Sequence, residues 1–196
     1  MARRKTGLTF RRKQKKTISK NALKNLLSWL FWIVISVFTG IVLVYAFGFR
    51  TNVISNSMEP VLYSGQSILI DRFIYSISSA KRNDVVAFVP NGNEKSHLYI
   101  KRVVGLPGET LEIKDGYLYI DGNIYEDDYL YDKIADPGIL EAPLTLGPDE
   151  YFMLGDNRNF SEDSRSGNIG TVKSSYIFGK VWFVIGDNLK DIGFVK

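Results

Sequence analysis

NLLSWLFWIVISVFTGIVLVYAFGF, residues Asn25–Phe49, is a run of twenty-five residues without a single charge. As a helix it would be about 37 Å long, enough to cross a hydrocarbon core of about 30 Å with some tilt. Trp29 and Trp32 near one end and Tyr45 near the other suit the two membrane interfaces. A cleaved secretory leader would have a shorter apolar core followed by small-x-small residues, and Tyr45-Ala46-Phe47 offers no such site. A helix apolar on every side belongs inside a large protein or a membrane, and a chain of 196 residues is too small for the first. The run reads as a signal anchor, and it divides the chain into 1–24, 25–49 and 50–196.

On its N-terminal side, residues 1–24 carry ten Lys and Arg and no acid, while the rest holds 15 basic and 21 acidic residues, a net of −6. A basic tail can bind nucleic acid. One that abuts an apolar span is a topology signal that keeps the N-terminus in the cytoplasm. That places 50–196 outside the cell and argues against a nucleic-acid partner; the lipid bilayer is the expected one. No cysteine is present, which excludes a disulfide scaffold, thiolate metal sites and a thiol nucleophile.

On the C-terminal side the pattern is mainly β. Short segments rich in β-branched and aromatic residues fall at 66–71, 84–89, 97–104, 150–154 and 176–185. Residues 110–113 and 117–120 flank Asp115-Gly116, a hairpin turn signal. One short helix is expected near Ile74–Ser79. From Tyr125 to Pro148 the pattern dissolves into acids, prolines and glycines, a surface excursion. The expectation is an antiparallel β domain behind one transmembrane helix.

Three polar stretches in this domain could carry chemistry. Ser55-Asn56-Ser57-Met58-Glu59-Pro60 begins a few residues beyond the anchor. If residues 50–57 were an extended tether they would reach about 28 Å, holding Ser57 near the membrane surface. A nucleophilic serine needs a base. His97, the one histidine, is a candidate, and Lys101 is another. In a strand over 97–104, Lys101 shares a face with Tyr99 and Val103. A lysine covered there has its ammonium disfavoured and its pKa lowered, whereas one at a strand edge would snorkel to solvent. The third stretch runs from Gly155-Asp156-Asn157 to Ser164-Arg165. It fails as an EF-hand loop, with Arg158, Ser161 and Gly167 at its third, sixth and twelfth positions. No metal or cofactor is expected.

Taken together, Ser55-x-Ser57-Met58-x-Pro60, Tyr99-Ile100-Lys101-Arg102-Val103-x-Gly105-x-Pro107-Gly108-Glu109 and Gly155-Asp156-Asn157-x-x-x-Ser161-x-Asp163-Ser164-Arg165 resemble bacterial type I signal peptidases, in their single-anchor, Gram-positive-like form. The resemblance implies a Ser-Lys serine endopeptidase that cuts signal peptides from exported preproteins after small, Ala-x-Ala-like residues. It makes Ser57 the nucleophile and Lys101 the general base. The Ser55 hydroxyl and the Ser57 amide would form the oxyanion hole. Ser161 would hydrogen-bond the lysine amine, Asp163 would pair with Arg165, and Asp156 would support the site. Val53, Met58, Tyr99, Ile100 and Met153 would line the substrate pockets. Residues 110–148 would correspond to the family's β insertion. Endoplasmic-reticulum relatives carry histidine where Lys101 stands. Val61 replaces the usual threonine, Asn56 replaces a common glycine, and the glycine after Arg165 is either Gly167 or Gly170. The rival reading is an anchored, non-catalytic assembly factor related to these enzymes; such relatives typically lose one member of the dyad. A Ser-Lys self-cleaving regulator is disfavoured by the anchor and the lack of a DNA-binding domain.

Overall fold

The structure, a computed structural model, describes residues 20–93, 95–126, 132–186 and 192–195. Most of the basic tail and part of the Tyr125–Pro148 excursion lie outside the described residues. Helix α1 spans Lys20–Phe47. It starts before the charge-free run because Lys20, Ala22, Leu23 and Lys24 are good helix formers. It stops two residues short of Phe49, at Gly48. Its large apolar side chains, among them Trp29, Phe38 and Val44, are exposed, the surface a membrane-spanning helix offers to lipid.

Phe49 is instead the first residue of strand β1, Phe49–Asn52, which pairs with Ser67–Asp71 (β2). The first residues of the 50–57 stretch are thus extended as part of a sheet, and Phe49 packs against the domain core. The remaining elements are α2 (Ile74–Ile77), β3 (Val85–Phe88), β4 (Tyr99–Gly105), β5 (Thr110–Lys114), β6 (Tyr117–Ile120), β7 (Asn123–Ile124), β8 (Leu144–Thr145), β9 (Glu150–Leu154), β10 (Val172–Lys173), β11 (Ile177–Ile185) and β12 (Gly193–Phe194). The larger sheet has the order β1-β2-β11-β3-β4-β9-β10, with β12 added beside β11, and the smaller has the order β7-β6-β5-β8. Every strand pair among the described residues is antiparallel. The β5–β6 turn has positive φ at both Asp115 and Gly116, the backbone a tight hairpin requires.

Three apolar clusters hold these layers. One gathers Ile68, Ile70, Val85, Ala87, Ile100 and Val181 with Val53, Met58 and Leu62. Met58 and Leu62 are essentially fully buried, each contributing about 1.5–3 kcal/mol of apolar burial. They pin the segment that carries Ser57 to the sheet. A second cluster packs Leu111, Leu118 and Leu140 of the small-sheet region against Val104, Phe152 and Leu154 of the large one. The third packs Val86, Phe88, Val103, Tyr151 and Met153.

Candidate active site

Strand β4 is the spine of the site. On one side β3 pairs with Tyr99–Arg102, while on the other β9 joins only from Arg102 onward. Tyr99, Ile100 and Lys101 therefore present a backbone edge with no strand against it among the described residues. The segment Val53–Met58 faces this stretch across a cavity of about 280 Å³, with Phe160 and Glu162 completing the lining.

Lys101 is 3% exposed and Ser57 5%, and the lysine Nζ lies 2.5 Å from the Ser57 Oγ. The Ser55 hydroxyl is 2.9 Å from the same Oγ and 3.5 Å from the Ser57 amide nitrogen. Burial lowers the Lys101 pKa from 10.5 to about 8, opposed by the negative charges of Asp163, Glu162 and Asp156 and assisted by Arg165. The ammonium is disfavoured because desolvation outweighs those carboxylates. The amine also sits 5.8 Å from the centre of the Tyr99 ring.

The loop after β9 braces the serine from behind. The Asn157 amide donates to the Ser57 carbonyl over 3.1 Å, and the Asn157 side chain donates to the Asn56 carbonyl over 3.3 Å. Gly155 is required by contact: a Cβ there would come within 2.4 Å of the Ser57 carbonyl oxygen and 2.2 Å of the Ser161 Oγ. The Gly155 amide donates to Asp163 over 3.1 Å. Asp163 in turn accepts two guanidinium bonds from Arg165, at 2.9 and 3.0 Å. Arg165 also donates to the carbonyls of Asp136 and Arg158. Asp156 accepts a bidentate pair from Arg102, both at 2.7 Å and both side chains fully buried.

Of the expected residues, Ser55, Ser57, Lys101, Val53, Met58, Tyr99 and Ile100 meet at the cleft. Asp156, Asp163 and Arg165 stand behind it. Two placements need correction. Ser161 does not hold the lysine amine: its Oγ lies against Gly155 and has no hydrogen-bond partner among the described residues. Met153 does not line the cleft: it is opposite Val103 in the β4–β9 register and fully buried with it in the core. His97 lines the cleft, but the hydroxyl partners of Ser57 are Ser55 and Lys101. Sequence reading missed Arg102, whose partner is 54 positions away. It also missed Ile54, Phe160 and Glu162 at the rim. Burial, followed by the negative charge of Glu162, raises the Tyr99 pKa.

Comparison with known proteins identifies the family of the chain. Residues 25–186 match the family of signal peptidase, peptidase S26. Signal peptidase I P of Bacillus subtilis subsp. natto is 35% identical over 156 residues, 76% of this chain and 83% of the relative. Signal peptidase I of Bacillus licheniformis is 33% identical over 174 residues, 85% of this chain and 91% of the relative. A crystal structure of a signal peptidase I from Enterococcus faecalis aligns with 34% identity and a TM-score of 0.44, covering 54% of this chain and 98% of that one. The chain belongs to the signal peptidase family, peptidase S26. It is a membrane-anchored serine endopeptidase of the signal-peptide-removing kind.

Proposed function

We propose that Ser57 is the nucleophile and Lys101 the general base in cleavage of signal peptides from exported preproteins. The observation that carries this reading is the 2.5 Å approach of the Lys101 amine to the Ser57 hydroxyl, both side chains being buried. With a pKa near 8, a usable fraction of the lysine is neutral at physiological pH and accepts the serine proton as Oγ attacks the scissile carbonyl. The carbonyl oxygen gains the negative charge, and the Ser57 amide and Ser55 hydroxyl are the donors at hand. One such donor contributes about 3–4 kcal/mol in comparable sites. The Lys101 ammonium then returns its proton to the departing amine, which frees the mature chain and leaves the signal peptide esterified to Ser57. Water that gives its proton to Lys101 attacks the ester and restores the serine.

The open edge of β4 suits an extended substrate, since it offers backbone groups to a peptide laid alongside it. The small cavity lined by Val53, Met58 and Ile100 supports a preference for small, Ala-x-Ala-like side chains before the cut. The ten positive charges of residues 1–24 support an N-terminus in the cytoplasm, a single span in the lipid bilayer, and a catalytic domain outside.

The test is cleavage of an exported preprotein in detergent by wild type, Ser57→Ala and Lys101→Ala, with folding of each checked by circular dichroism. Both variants are expected to be inactive. Activity in Lys101→Ala would overturn the lysine base and return attention to His97. A folded wild type that cuts none of several preproteins would favour the non-catalytic assembly factor.

A further inference from the structure

Three carboxylates surround the dyad, and only one is turned toward substrate. Asp156 is locked by Arg102 and Asp163 by Arg165, each carboxylate fully buried against its guanidinium. Glu162 differs on every count. It is exposed, lines the cleft beside Ser57 and Lys101, and forms no ion pair with a Lys or Arg among the described residues. Its negative charge is felt at the neutral Tyr99 hydroxyl, whose pKa it raises. No other carboxylate among the described residues lines the cleft, whose walls are otherwise apolar side chains, serine hydroxyls, His97, Tyr99 and Lys101. When Lys101 is neutral, as the base must be, Glu162 is left as the cleft's uncompensated charge.

We infer that Glu162 is a specificity-determining residue, which favours preproteins carrying a Lys or Arg side chain beside the scissile bond and disfavours those carrying Asp or Glu there. The inference rests on the Ser57–Lys101 reading, because that reading places the scissile bond in this cleft. An extended peptide on the β4 edge alternates its side chains between the two faces. At least one side chain near the cut therefore passes the Tyr99–Glu162 rim. A cation there gains from the carboxylate and an anion is repelled by it, a contrast of about two- to fivefold for a solvent-exposed pair. Exposure also makes the effect sensitive to salt.

The experiment uses the full chain in detergent and a set of peptides that share one cleavable sequence. One position at a time, on either side of the cut, is Lys, Gln or Glu. Each kcat/KM is divided by that of the Gln peptide for the same enzyme, for wild type, Glu162→Gln and Glu162→Lys. At one position or more, wild type is expected to prefer Lys over Glu by about two- to fivefold, with the ratio shrinking at high salt. Glu162→Gln keeps the size of the side chain while removing its charge and is expected to bring the ratio close to one. Glu162→Lys is expected to invert it. An equal Lys-to-Glu ratio in wild type and Glu162→Gln at every position would overturn the inference while leaving the dyad intact. A wild type inert on the Gln peptide, or an active Lys101→Ala, would instead overturn the reading beneath it.

Discussion

Lys101 and Arg102 are adjacent on β4, both cationic by type and both buried, yet their surroundings oppose one another. Arg102 points to the face where Asp156 meets it in a two-pronged ion pair, with a further bond to the Asn83 carbonyl over 2.8 Å. Lys101 points to the face where its nearest partner is a hydroxyl. A buried charge is tolerable when a carboxylate and hydrogen bonds replace its water. Without them the group gives up its proton more readily. One residue of strand register thus separates a cation that holds the fold from an amine poised to take a proton.

The sharpest way to break this comparison is to exchange the chemistry. Lys101→Arg retains a cation that does not deprotonate, so it is expected to lose activity by on the order of 10²–10⁴-fold, as Lys101→Ala does. Single-turnover cleavage rates would decide, and an active Lys101→Arg would remove the need for a neutral amine. Next in size, Asp156→Ala leaves Arg102 buried without its carboxylate and is expected to cost about 3–5 kcal/mol of stability. Urea unfolding of the detergent-solubilised protein measures it, and a loss under about 1 kcal/mol would contradict a buried pair of this kind.

Lys101→Met should do the reverse. Lowering the lysine pKa from 10.5 to about 8 means that the folded state disfavours the ammonium, by about 3 kcal/mol. Below pH 8 the amine is protonated in both folded and unfolded chains, so wild type carries that whole cost. Between pH 8 and 10.5 the folded form is neutral while the unfolded form still holds its proton, and wild type gains stability as pH rises. Lys101→Met is therefore expected to be the more stable protein at pH 7, with the advantage vanishing above pH 10.5. Equal melting curves across this range would mean that the lysine is not desolvated. The smallest effect concerns the acid limb of kcat/KM, expected near pH 8. Of the groups acting on Lys101, Asp163, Glu162 and Asp156 raise its pKa and Arg165 lowers it. Glu162→Gln should move the limb to lower pH by a fraction of a unit, and an upward move would be incompatible with that arrangement.

The contrast between the two cations was half legible in the sequence. Alternation along 97–104 placed Tyr99, Lys101 and Val103 on one face, and the Asp115-Gly116 turn located its hairpin, because both signals are local. The strand β1 was hidden: Phe49 ends an apolar run that looks helical throughout, and only its pairing with Ile70 reveals the break at Gly48. Arg102 gave no hint of Asp156, since register across β4 and β9 brings them together and no short-range pattern encodes it. Met153 and Ser161 were misplaced for the same reason. The resemblance gave their places in the chain, but their orientations depend on packing against Val103 and Gly155.

The stretch of β4 that β9 leaves uncovered has a practical consequence. Contacts made through amides and carbonyls are indifferent to which side chains a client carries, so a substrate laid along this edge as proposed could come from many unrelated exported proteins. The same indifference is a weakness against small molecules. A rigid strand mimetic with methyl-sized substituents and an electrophile aimed at Ser57 would meet nearly everything the edge and cavity recognise, and resistance by changing side chains would have few places to begin.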